Sequence, residues 1–415
     1  MTATVSPHPF NEFLESVASA RYEEVRQFPG AAVESASAFE EMKAYVIDLY
    51  RGVNAVESFV ETDGQVIDCV PEDRHPAAQR WGGLAAAPAE GPPQVAEAGE
   101  PTPPDPRSRE IVHPRPQDPE TARAFPAGTT PLYRTTLSRL CQFPNLAAFS
   151  GKNHLIERTA PDTVELGGEP YPKRYATGEQ NIKSLGGSSK VNVWSPFAGG
   201  GQSTFSQQWY YAGQEGTLLQ TVECGWHIDI SRYGNATPHL FVFATRESYH
   251  TGHSFYNLEG GAFLPVANPY VTPGAPLLVS QQGGTQVEYK MGFYLTNNAW
   301  WFYFDDHPIG CYPVSWFNNG PLTTGATRAK FGGEAGSILS TWPPMGSGLH
   351  AREGFRKAAY QRAAAVNPVT GGAVYATLSE AGSVFGPCYS VQITNNTASD
   401  WGTYLFFGGP GGNGC

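Results

Sequence analysis

The feature that most constrains the fold is a repeated alternation in the second part of the chain. From about residue 150, short runs of aromatic and β-branched residues alternate with turns rich in glycine, asparagine and proline. Such runs predict β-strands, and the absence of helical crossovers, P-loop and dinucleotide-binding motifs favours antiparallel pairing. The pattern predicts a mainly β fold in which residues 150–415 form an antiparallel, jelly-roll-like β-sandwich. The clearest predicted strands are 191–194, 205–211, 218–230, 239–245, 286–295, 300–305 and 403–407, with one helix around 352–362.

Residues 1–80 have a different pattern, typical of a small α+β unit. Apolar residues at helical spacing predict one helix before residue 30 and a second one after Ser37, where Glu40 completes a capping box. Two β-type runs flank the Asp-Gly dipeptide at 63–64, which predicts a tight hairpin. The first 80 residues are therefore expected to form a domain separate from the sandwich.

Between these regions the composition changes to that of a linker. Ten prolines fall between Pro88 and Pro119, mixed with alanine, glutamate and glycine. Such a segment buries too little apolar surface to order itself and is expected to extend. We therefore predict an extended, accessible linker at 81–126 and a connecting segment at 127–149.

Charge and hydropathy exclude several classes of partner. The formal net charge is −11, and an acidic surface repels the phosphates of nucleic acids. No apolar run is long enough to span a membrane, so no membrane partner is expected. Residues 1–9 have neither the basic nor the apolar region of a signal peptide, so no export signal is visible.

Six cysteines are present, and none forms a CxxC pair. A structural zinc site is therefore not expected, and His250 and His253 have no companion ligands. The even count fits disulfides formed in an oxidising compartment, while buried free thiols are an equal alternative. We predict neither a metal nor a cofactor.

Two glutamates are of interest because glycines accompany them. If residues 218–230 are a strand, alternation places Glu223 and Gly225 on the face opposite the apolar side chains. Glu334 ends a Phe-Gly-Gly-Glu run. Glycine in a strand leaves space for the close approach of another group, although an isolated glutamate on a polar strand face is ordinarily a solvated charge.

The sequences around both glutamates resemble motifs of the neprosin family. Thr-Val-Glu-Cys-Gly-Trp at 221–226 resembles the stretch around the family's first catalytic glutamate, and Phe-Gly-Gly-Glu at 331–334 resembles the stretch around the second. Further matches follow in the same order over about 350 residues. They lie at 64–70 and 127–134, in the activation peptide and connecting segment, and at 189–196, 207–209, 233–234, 344–348 and 406–411, in the catalytic domain.

This resemblance implies a glutamic endopeptidase that cleaves after proline. Glu223 and Glu334 would form the catalytic pair. Gln207 would donate to the oxyanion, and Trp209 and Tyr233 would line the substrate cleft. For Gln207 and Tyr233 an ordinary role in strand polarity or packing is the alternative.

The same resemblance implies a secreted zymogen. Its own pro-domain would act as an intramolecular inhibitor, and proteins or peptides, especially proline-rich ones, would be its substrates. Protonation of carboxylates such as Glu110 and Glu120 would loosen the pro-domain in acid. Self-cleavage within the exposed, proline-rich linker would then mature the enzyme.

The resemblance also points to two disulfides. A bridge between Cys388 and Cys415 is implied near the C-terminus. Cys69 and Cys141 are a second candidate pair, because Phe125 stands where the family usually has a cysteine.

Two neighbouring carboxyl groups supply the chemistry that amide hydrolysis needs. Because like charges repel, the pair shares one proton and titrates as a unit. The ionised member takes a proton from water, and the protonated member polarises the carbonyl or donates to the leaving nitrogen. An acidic optimum is therefore predicted, and the division of roles between Glu223 and Glu334 is left open.

Two other functions are compatible with parts of the sequence. A jelly-roll glycoside hydrolase also uses a carboxylate pair, and Trp209, Trp226, Trp300 and Trp301 would then be sugar platforms. In a non-enzymatic binding module both glutamates would be bystanders. The N-terminal region and the collinear motifs favour the peptidase.

Overall fold

The computed structural model describes residues 9–96, 104–116, 125–152, 173–214, 218–250, 252–382 and 386–415. Its strands form a three-stranded sheet, a large sheet that curls on itself and a two-stranded sheet. Helices are concentrated in the N-terminal region. The predicted fold class, a mainly β chain with an antiparallel sandwich after a small α+β unit, is confirmed.

The described residues form the following strands and helices. The strands are β1 Glu57–Val60, β2 Val66–Pro71, β3 Ile111–Val112, β4 Thr129–Tyr133, β5 Lys173–Asn192, β6 Gln202–Gln214, β7 Leu218–Ile228, β8 His239–Thr245, β9 Ser254–Tyr256, β10 Leu264–Pro265, β11 Gln286–Thr296, β12 Ala299–Phe304, β13 His307–Pro313, β14 Ala326–Ser337, β15 Thr341–Trp342, β16 Ala359–Pro368, β17 Val374–Tyr375, β18 Ser379–Ala381, β19 Ser390–Thr394, β20 Tyr404–Gly408 and β21 Gly412–Asn413. The α-helices are α1 Phe10–Ser19, α2 Tyr22–Val25, α3 Ala36–Leu49, α4 Pro76–Trp81, α5 Leu137–Leu140, α6 Leu146–Ser150 and α7 Ile230–Tyr233. Short 3-10 helices span Glu72–Arg74, Pro106–Glu110, Glu259–Gly261, Val314–Phe317, Pro321–Thr324 and Ala351–Glu353. No helix in the described ranges has the length and hydropathy needed to cross a bilayer.

The N-terminal unit packs its helices beside a small sheet. Phe13 of α1 and Phe39 of α3 are buried in one core, and β2 pairs with both β1 and β4. The hairpin predicted from its Asp-Gly turn is present. The predicted capping box is wrong, because α3 begins earlier: the Ser35 hydroxyl accepts from Ala38 N at 3.1 Å, and Ser37 already lies inside the helix.

Strand β5 connects the two layers of the sandwich. Its first part pairs with β14, and its last part pairs with β11 and β16. One layer continues in the order β14-β6-β7-β8-β9, and the other in the order β11-β12-β13-β10. Apolar side chains from both layers fill the space between them, because each strand directs every second residue inward. This core includes Tyr210, Trp226, Phe293, Trp300 and Phe302.

The predicted helix around 352–362 is wrong. The chain makes a single 3-10 turn, Ala351–Glu353, and then leaves the helical region at Gly354, where φ is 68°. From Ala359 onward it forms β16, which pairs with β5 and β20. Pairing with two strands outweighs a local helical spacing that would otherwise have to stabilise a short helix alone.

The described parts of the proline-rich linker lie against the sandwich. Ala85 forms a bridge with Val266, and Val95 forms one with Ala373. Further along, β3 adds to β11 as a parallel strand. Main-chain contacts thus dock these described parts on the sheet, and residues 106–110 form a 3-10 turn.

One of the two predicted disulfides is present. Cys388 and Cys415 are bonded, with Cα atoms 5.7 Å apart, which confirms that pair. The predicted Cys69–Cys141 bridge is wrong, because both residues are buried free thiols. Cys69 lies within β2 between two strands, whereas Cys141 follows α5 and places its Sγ 4.0 Å from Met42 Sδ.

Candidate active site

Three adjacent strands place the two glutamates on one face of the sheet. In the register of β14, β6 and β7, Glu334 lies opposite Phe205, and Glu223 lies opposite Trp209. Gln207 lies between these two positions on β6, and alternation directs its side chain to the same face. The two carboxylates therefore flank Gln207 diagonally, one on each neighbouring strand.

Glycines stand opposite Gln207 on both flanking strands. They are Gly332 on β14 and Gly225 on β7. A Cβ at Gly225 would lie 2.0 Å from the carbonyl oxygen of Ser206, and one at Gly332 would lie 2.4 Å from that of Ala176. Gly332 also has a φ of 136°, which side chains rarely allow. Glycine thus permits close strand approach and leaves the Gln207 amide room between the carboxylates.

Hydrogen bonds join the two glutamates through Gln207 and a lysine. The Gln207 amide donates from Nε2 to Glu334 Oε2 at 2.7 Å, and its Oε1 accepts from Lys152 Nζ at 2.8 Å. The same Nζ donates to Glu223 Oε2 and lies 3.7 Å from Glu334 Oε2. One ammonium group therefore bridges both carboxylates.

Lys152 belongs to the segment that precedes the large sheet, two residues after α6. Its side chain is buried among aromatic rings. The ring centroids of Phe205, Phe241, Phe243 and Trp209 lie 5.0–5.8 Å from Nζ. Burying an ammonium group is unfavourable unless opposite charges compensate it. Here the two glutamates provide that compensation.

The sequence interpretation missed Lys152. A single lysine usually indicates a solvated charge, and 71 positions separate this one from Glu223. One signal was available: Lys152 and Lys43 are the only lysines among the first 152 residues. A scarce lysine just before the strands of the sandwich could have been singled out.

Each carboxylate has further polar partners. Glu223 Oε1 accepts from Thr221 Oγ1 at 2.7 Å and from the Tyr249 hydroxyl at 3.0 Å. Glu334 Oε1 lies 3.2 Å from Lys173 Nζ. Burial acts to raise the pKa of Glu334, but the ammonium groups of the bridging lysine and of Lys173 outweigh it and hold that pKa below its usual value. Glu334 is therefore ionised at neutral pH while the bridge is in place.

The structure brings both glutamates, Gln207 and Trp209 together on this face. Tyr233, the remaining residue singled out from the sequence, lies at the boundary with the N-terminal unit. Its hydroxyl is 2.8 Å from His227 Nε2, and its ring stacks on His239 with centroids 3.8 Å apart. Burial lowers the pKa of His227 well below its usual value, so this histidine is neutral and structural.

The turn of the β1–β2 hairpin contacts the same boundary. Asp63 Oδ2 lies 2.7 Å from His239 Nε2, and Gln65 donates from Nε2 to the Gly274 carbonyl oxygen at 3.0 Å. Burial opposes ionisation of Asp63, but hydrogen bonds from His239 and Gln65 lower its pKa. The N-terminal unit is thus held to the sandwich by a buried carboxylate and an amide of its hairpin turn.

Of the two carboxylates expected to control release of the pro-domain, the described residues include Glu110. Glu110 pairs with Arg356 of the sandwich at 2.8 Å, and both side chains are largely exposed. An exposed pair contributes little stability. Glu120 lies outside the described residues.

Of the tryptophans considered as sugar platforms, Trp209 lies beside Glu223, whereas the other three lie elsewhere. Trp226 and Trp300 are fully buried in the core, where they donate to the carbonyl oxygens of Asn192 and Leu322 at 2.9 and 3.0 Å. Trp301 packs in a separate cluster. Within the described ranges, no group of three or more acidic, histidine or cysteine side chains could hold a metal ion.

Comparison with family models shows to which family the chain belongs. The family model described as Neprosin matches residues 200–410, half of the chain, including both glutamates and Gln207. The chain belongs to the neprosin family. In this neprosin-family chain the match covers β6 to β20, whereas Lys152 and Lys173 lie outside the matched region.

Solved structures with some similarity have low identity to this neprosin-family chain. SCP-B, a member of the eqolisin family of peptidases in complex with the tripeptide Ala-Ile-His, has 9% identity and a TM-score of 0.30, covering 58% of this chain and 98% of its own. Apo Crh5 transglycosylase has 15% identity and a TM-score of 0.23, covering 45% and 70%. The carbohydrate-binding module CBM66 from Bacillus subtilis has 7% and 0.20, covering 40% and 81%. TM-scores this low carry no argument about activity.

Proposed function

We propose that the chain is the latent form of a glutamic endopeptidase that acts in acid. The observation that carries this proposal is the single ammonium group of Lys152, buried between Glu223 and Glu334. Two buried carboxylates within reach of one cation are close enough to share a proton when the cation leaves. Membership of the neprosin family supports a peptidase.

Departure of Lys152 would leave the carboxylates on either side of Gln207 without the cation between them. Their mutual repulsion favours one shared proton. The ionised member would then take a proton from a water molecule in the vacated space, and the protonated member would donate to the leaving nitrogen. The Gln207 amide N–H would be available to the developing oxyanion.

Two contacts that need ionised carboxylates would keep the enzyme latent. Lys152 occupies the space of the catalytic water, and Asp63 holds the hairpin turn to His239. The pKa values of Glu334 and Asp63 are both lowered. The stabilisation from these carboxylates is therefore complete above their ordinary pKa values and is lost as the pH falls through the lowered ones. Acid would release the pro-domain and permit self-cleavage.

The aromatic rings around Lys152 support a preference for proline. Once the lysine leaves, Phe205, Phe241, Phe243 and Trp209 would border an apolar pocket beside the carboxylates. A pyrrolidine ring is compact and apolar, so it suits a pocket with such walls. Cleavage of proline-rich peptides after proline is therefore part of the proposal, as the family resemblance implies.

Secretion belongs to the same proposal. The Cys388–Cys415 bridge ties the last residue of the chain to the loop before β19. Disulfides form and persist in oxidising compartments. A protease kept latent at neutral pH and released by acid suits an exported precursor.

The test is cleavage of a quenched proline-containing peptide from about pH 3 to 10. Wild type should cut in acid, while Glu223→Gln and Glu334→Gln should lose at least about 100-fold of the rate and keep their circular dichroism spectra. Glu380→Gln, an exposed glutamate on β18, is the control and should match wild type. Undiminished cutting by either catalytic-pair variant, or a maximum near pH 9, would contradict the proposed mechanism.

A further inference from the structure

Strand β16 has two faces with different partners. Gln361 points into the core, where its Nε2 donates to the carbonyl oxygens of Gln207 at 3.1 Å and of Gly332 at 3.3 Å. Its neighbours Tyr360 and Arg362 point the opposite way, beneath the proline-rich linker. We call this surface the back surface, because it lies on the side of β16 away from the glutamates. It is formed by Glu288, Tyr360, Arg362, Asp400, Trp401 and Tyr404.

Linker residues 104–113 are seated on the back surface by hydrogen bonds to one carboxylate. Asp105 donates from its main-chain N to Asp400 Oδ1 at 2.6 Å, and the Ser108 hydroxyl donates to Asp400 Oδ2 at 2.6 Å. Trp401 Nε1 donates to the same serine hydroxyl at 3.1 Å. The two oxygens of one carboxylate thus accept hydrogen bonds from a main-chain N–H and a hydroxyl three residues apart along the linker.

Stacking and strand addition extend the contact. The Arg107 guanidinium lies 3.6 Å from the Trp401 ring centroid and 4.9 Å from that of Tyr404. Four residues on, Ile111 enters an apolar cluster with Tyr360 and Trp401. There β3 pairs with the beginning of β11. Polar, cation–π, apolar and main-chain contacts therefore all fall within a single short segment.

Buried charges hold the receiving carboxylate in position. Arg362 donates to both carboxylate oxygens of Glu288, at 2.9 and 2.6 Å. Its Nη1 also donates to Asp400, to the carbonyl oxygen at 3.0 Å and to Oδ2 at 3.3 Å. Arg362 and Glu288 are both buried. The ion pair orients Asp400 before any chain is laid over it, and such preorganisation lowers the cost of binding.

We propose that the back surface is a peptide-binding site for a proline-initiated turn that carries arginine and leads into an apolar strand. In the linker, Pro106 begins the 3-10 turn, which places Arg107 over the tryptophan ring. The turn leads into Ile111, whose main chain adds to the sheet edge. Aromatic grooves and exposed strand edges are two recurring means of recognising peptides, and this surface combines them.

After maturation the occupant is a proline-rich polypeptide substrate. This step rests on the proposed function, because self-cleavage of the linker after residue 113 would remove residues 104–113 together with the pro-domain. The Trp401 indole N–H, the Asp400 carboxylate and the edge of β11 would then lose the linker groups that they bind here. A strand edge with orphaned donors and acceptors favours pairing with another chain. A substrate held on the back surface would stay at high effective concentration near the cleft.

The test measures binding in the full-length chain at neutral pH and needs no catalysis. The double substitution Arg107→Ala and Ile111→Ser removes two side chains that hold the linker on the back surface. We call this variant the freed chain, because its linker should no longer cover that surface. A fluorescent peptide of residues 104–113 should bind this freed chain with a Kd of roughly 10–100 µM by anisotropy. Wild type should bind it at least about tenfold more weakly, because its own tethered linker competes at an effective concentration of about millimolar.

Changes in the peptide keep the test independent of protein folding. Replacing its arginine by alanine should weaken binding about five- to thirtyfold, because the cation–π contact is lost. A scrambled peptide should not bind. A host peptide that keeps only the proline, arginine, serine and isoleucine should bind within about threefold of the original.

Asp400→Asn in the freed chain should weaken binding at least about fivefold, because the carboxylate accepts two hydrogen bonds from the peptide. Asp306→Asn is the matched control: that carboxylate accepts from Gln94 of the linker at 3.2 Å and should leave binding of this peptide unchanged. Equal binding to freed and wild-type chains, or binding of the scrambled peptide, overturns the proposal. If the chain binds the peptide specifically but has no peptidase activity, the proposed peptide-binding site is supported and only the proposed function is overturned.

Discussion

Replacing Lys152 with methionine removes the ammonium group that joins the two carboxylates and keeps most of the side chain's volume. The aromatic rings around it can still pack against the apolar stem. The change therefore isolates the charge. Without that charge, Glu223 and Glu334 are two buried carboxylates that lack their common partner. We expect a precursor that opens at a higher pH than wild type.

The size of the effect follows from the geometry. At an effective dielectric constant of about 20, unit charges 3.7 Å apart, as for Lys152 Nζ and Glu334 Oε2, attract each other by about 4.5 kcal/mol. Desolvation of the ammonium group offsets part of this attraction. Removing one partner of a buried pair typically costs about 3–5 kcal/mol, which changes the ratio of closed to open precursor by about two to four powers of ten.

The assay is the half-time of precursor shortening on a gel from about pH 3 to 6. At pH 5 the Lys152→Met precursor should mature at least about 100-fold faster than wild type. The two rates should converge in stronger acid, where protonated Glu334 no longer attracts the lysine. Lys43→Met, which changes the other lysine of the first 152 residues, should behave as wild type. A Lys152→Met precursor that needs the same acidity as wild type would refute the reasoning.

Three further predictions concern the pH response and the scaffold. Because the pKa of Glu334 is lowered while the bridge is intact, the wild-type maturation rate should rise only below the usual glutamate range of about pH 4.3. Lys173→Met should move that rise to higher pH, and an unchanged profile would count against the ion pair. Gly332→Ala should lower the melting temperature by at least about 3 °C, because the added Cβ meets a carbonyl oxygen at 2.4 Å; calorimetry with an unchanged midpoint would contradict this. Replacing Cys388 and Cys415 by alanine should cost about 3–4 kcal/mol of unfolding free energy, measured with urea, since the bridge spans 27 residues, and a loss below about 1 kcal/mol would contradict it.

The sequence was most informative about the strands of the sandwich. Those predicted at 205–211, 239–245, 286–295 and 300–305 lie within or almost coincide with β6, β8, β11 and β12. Alternation is a local property, since a strand with one face in the core needs an apolar residue at every second position. The same alternation placed Glu223 on the face away from the core.

Predictions that depended on partners distant in the chain were less successful. The segment at 352–362 has helical spacing, but pairing with β5 and β20 turns its second half into a strand. The family resemblance suggests a bridge between Cys69 and Cys141, but the structure leaves both as buried free thiols. In both cases the outcome depends on which elements pack together, and local spacing does not specify that.

By itself the sequence indicated most strands of the sandwich and pointed to Glu223 and Glu334, because alternation, glycine placement and motif order can be read along the chain. Only the tertiary structure decided that Gln207 lies between Glu223 and Glu334, because this depends on the register of three paired strands. It also decided the position of Lys152, which is brought there from 71 residues away. A buried ammonium group is stable only where opposite charges compensate it, and that compensation exists only once the strands and the preceding segment have packed together.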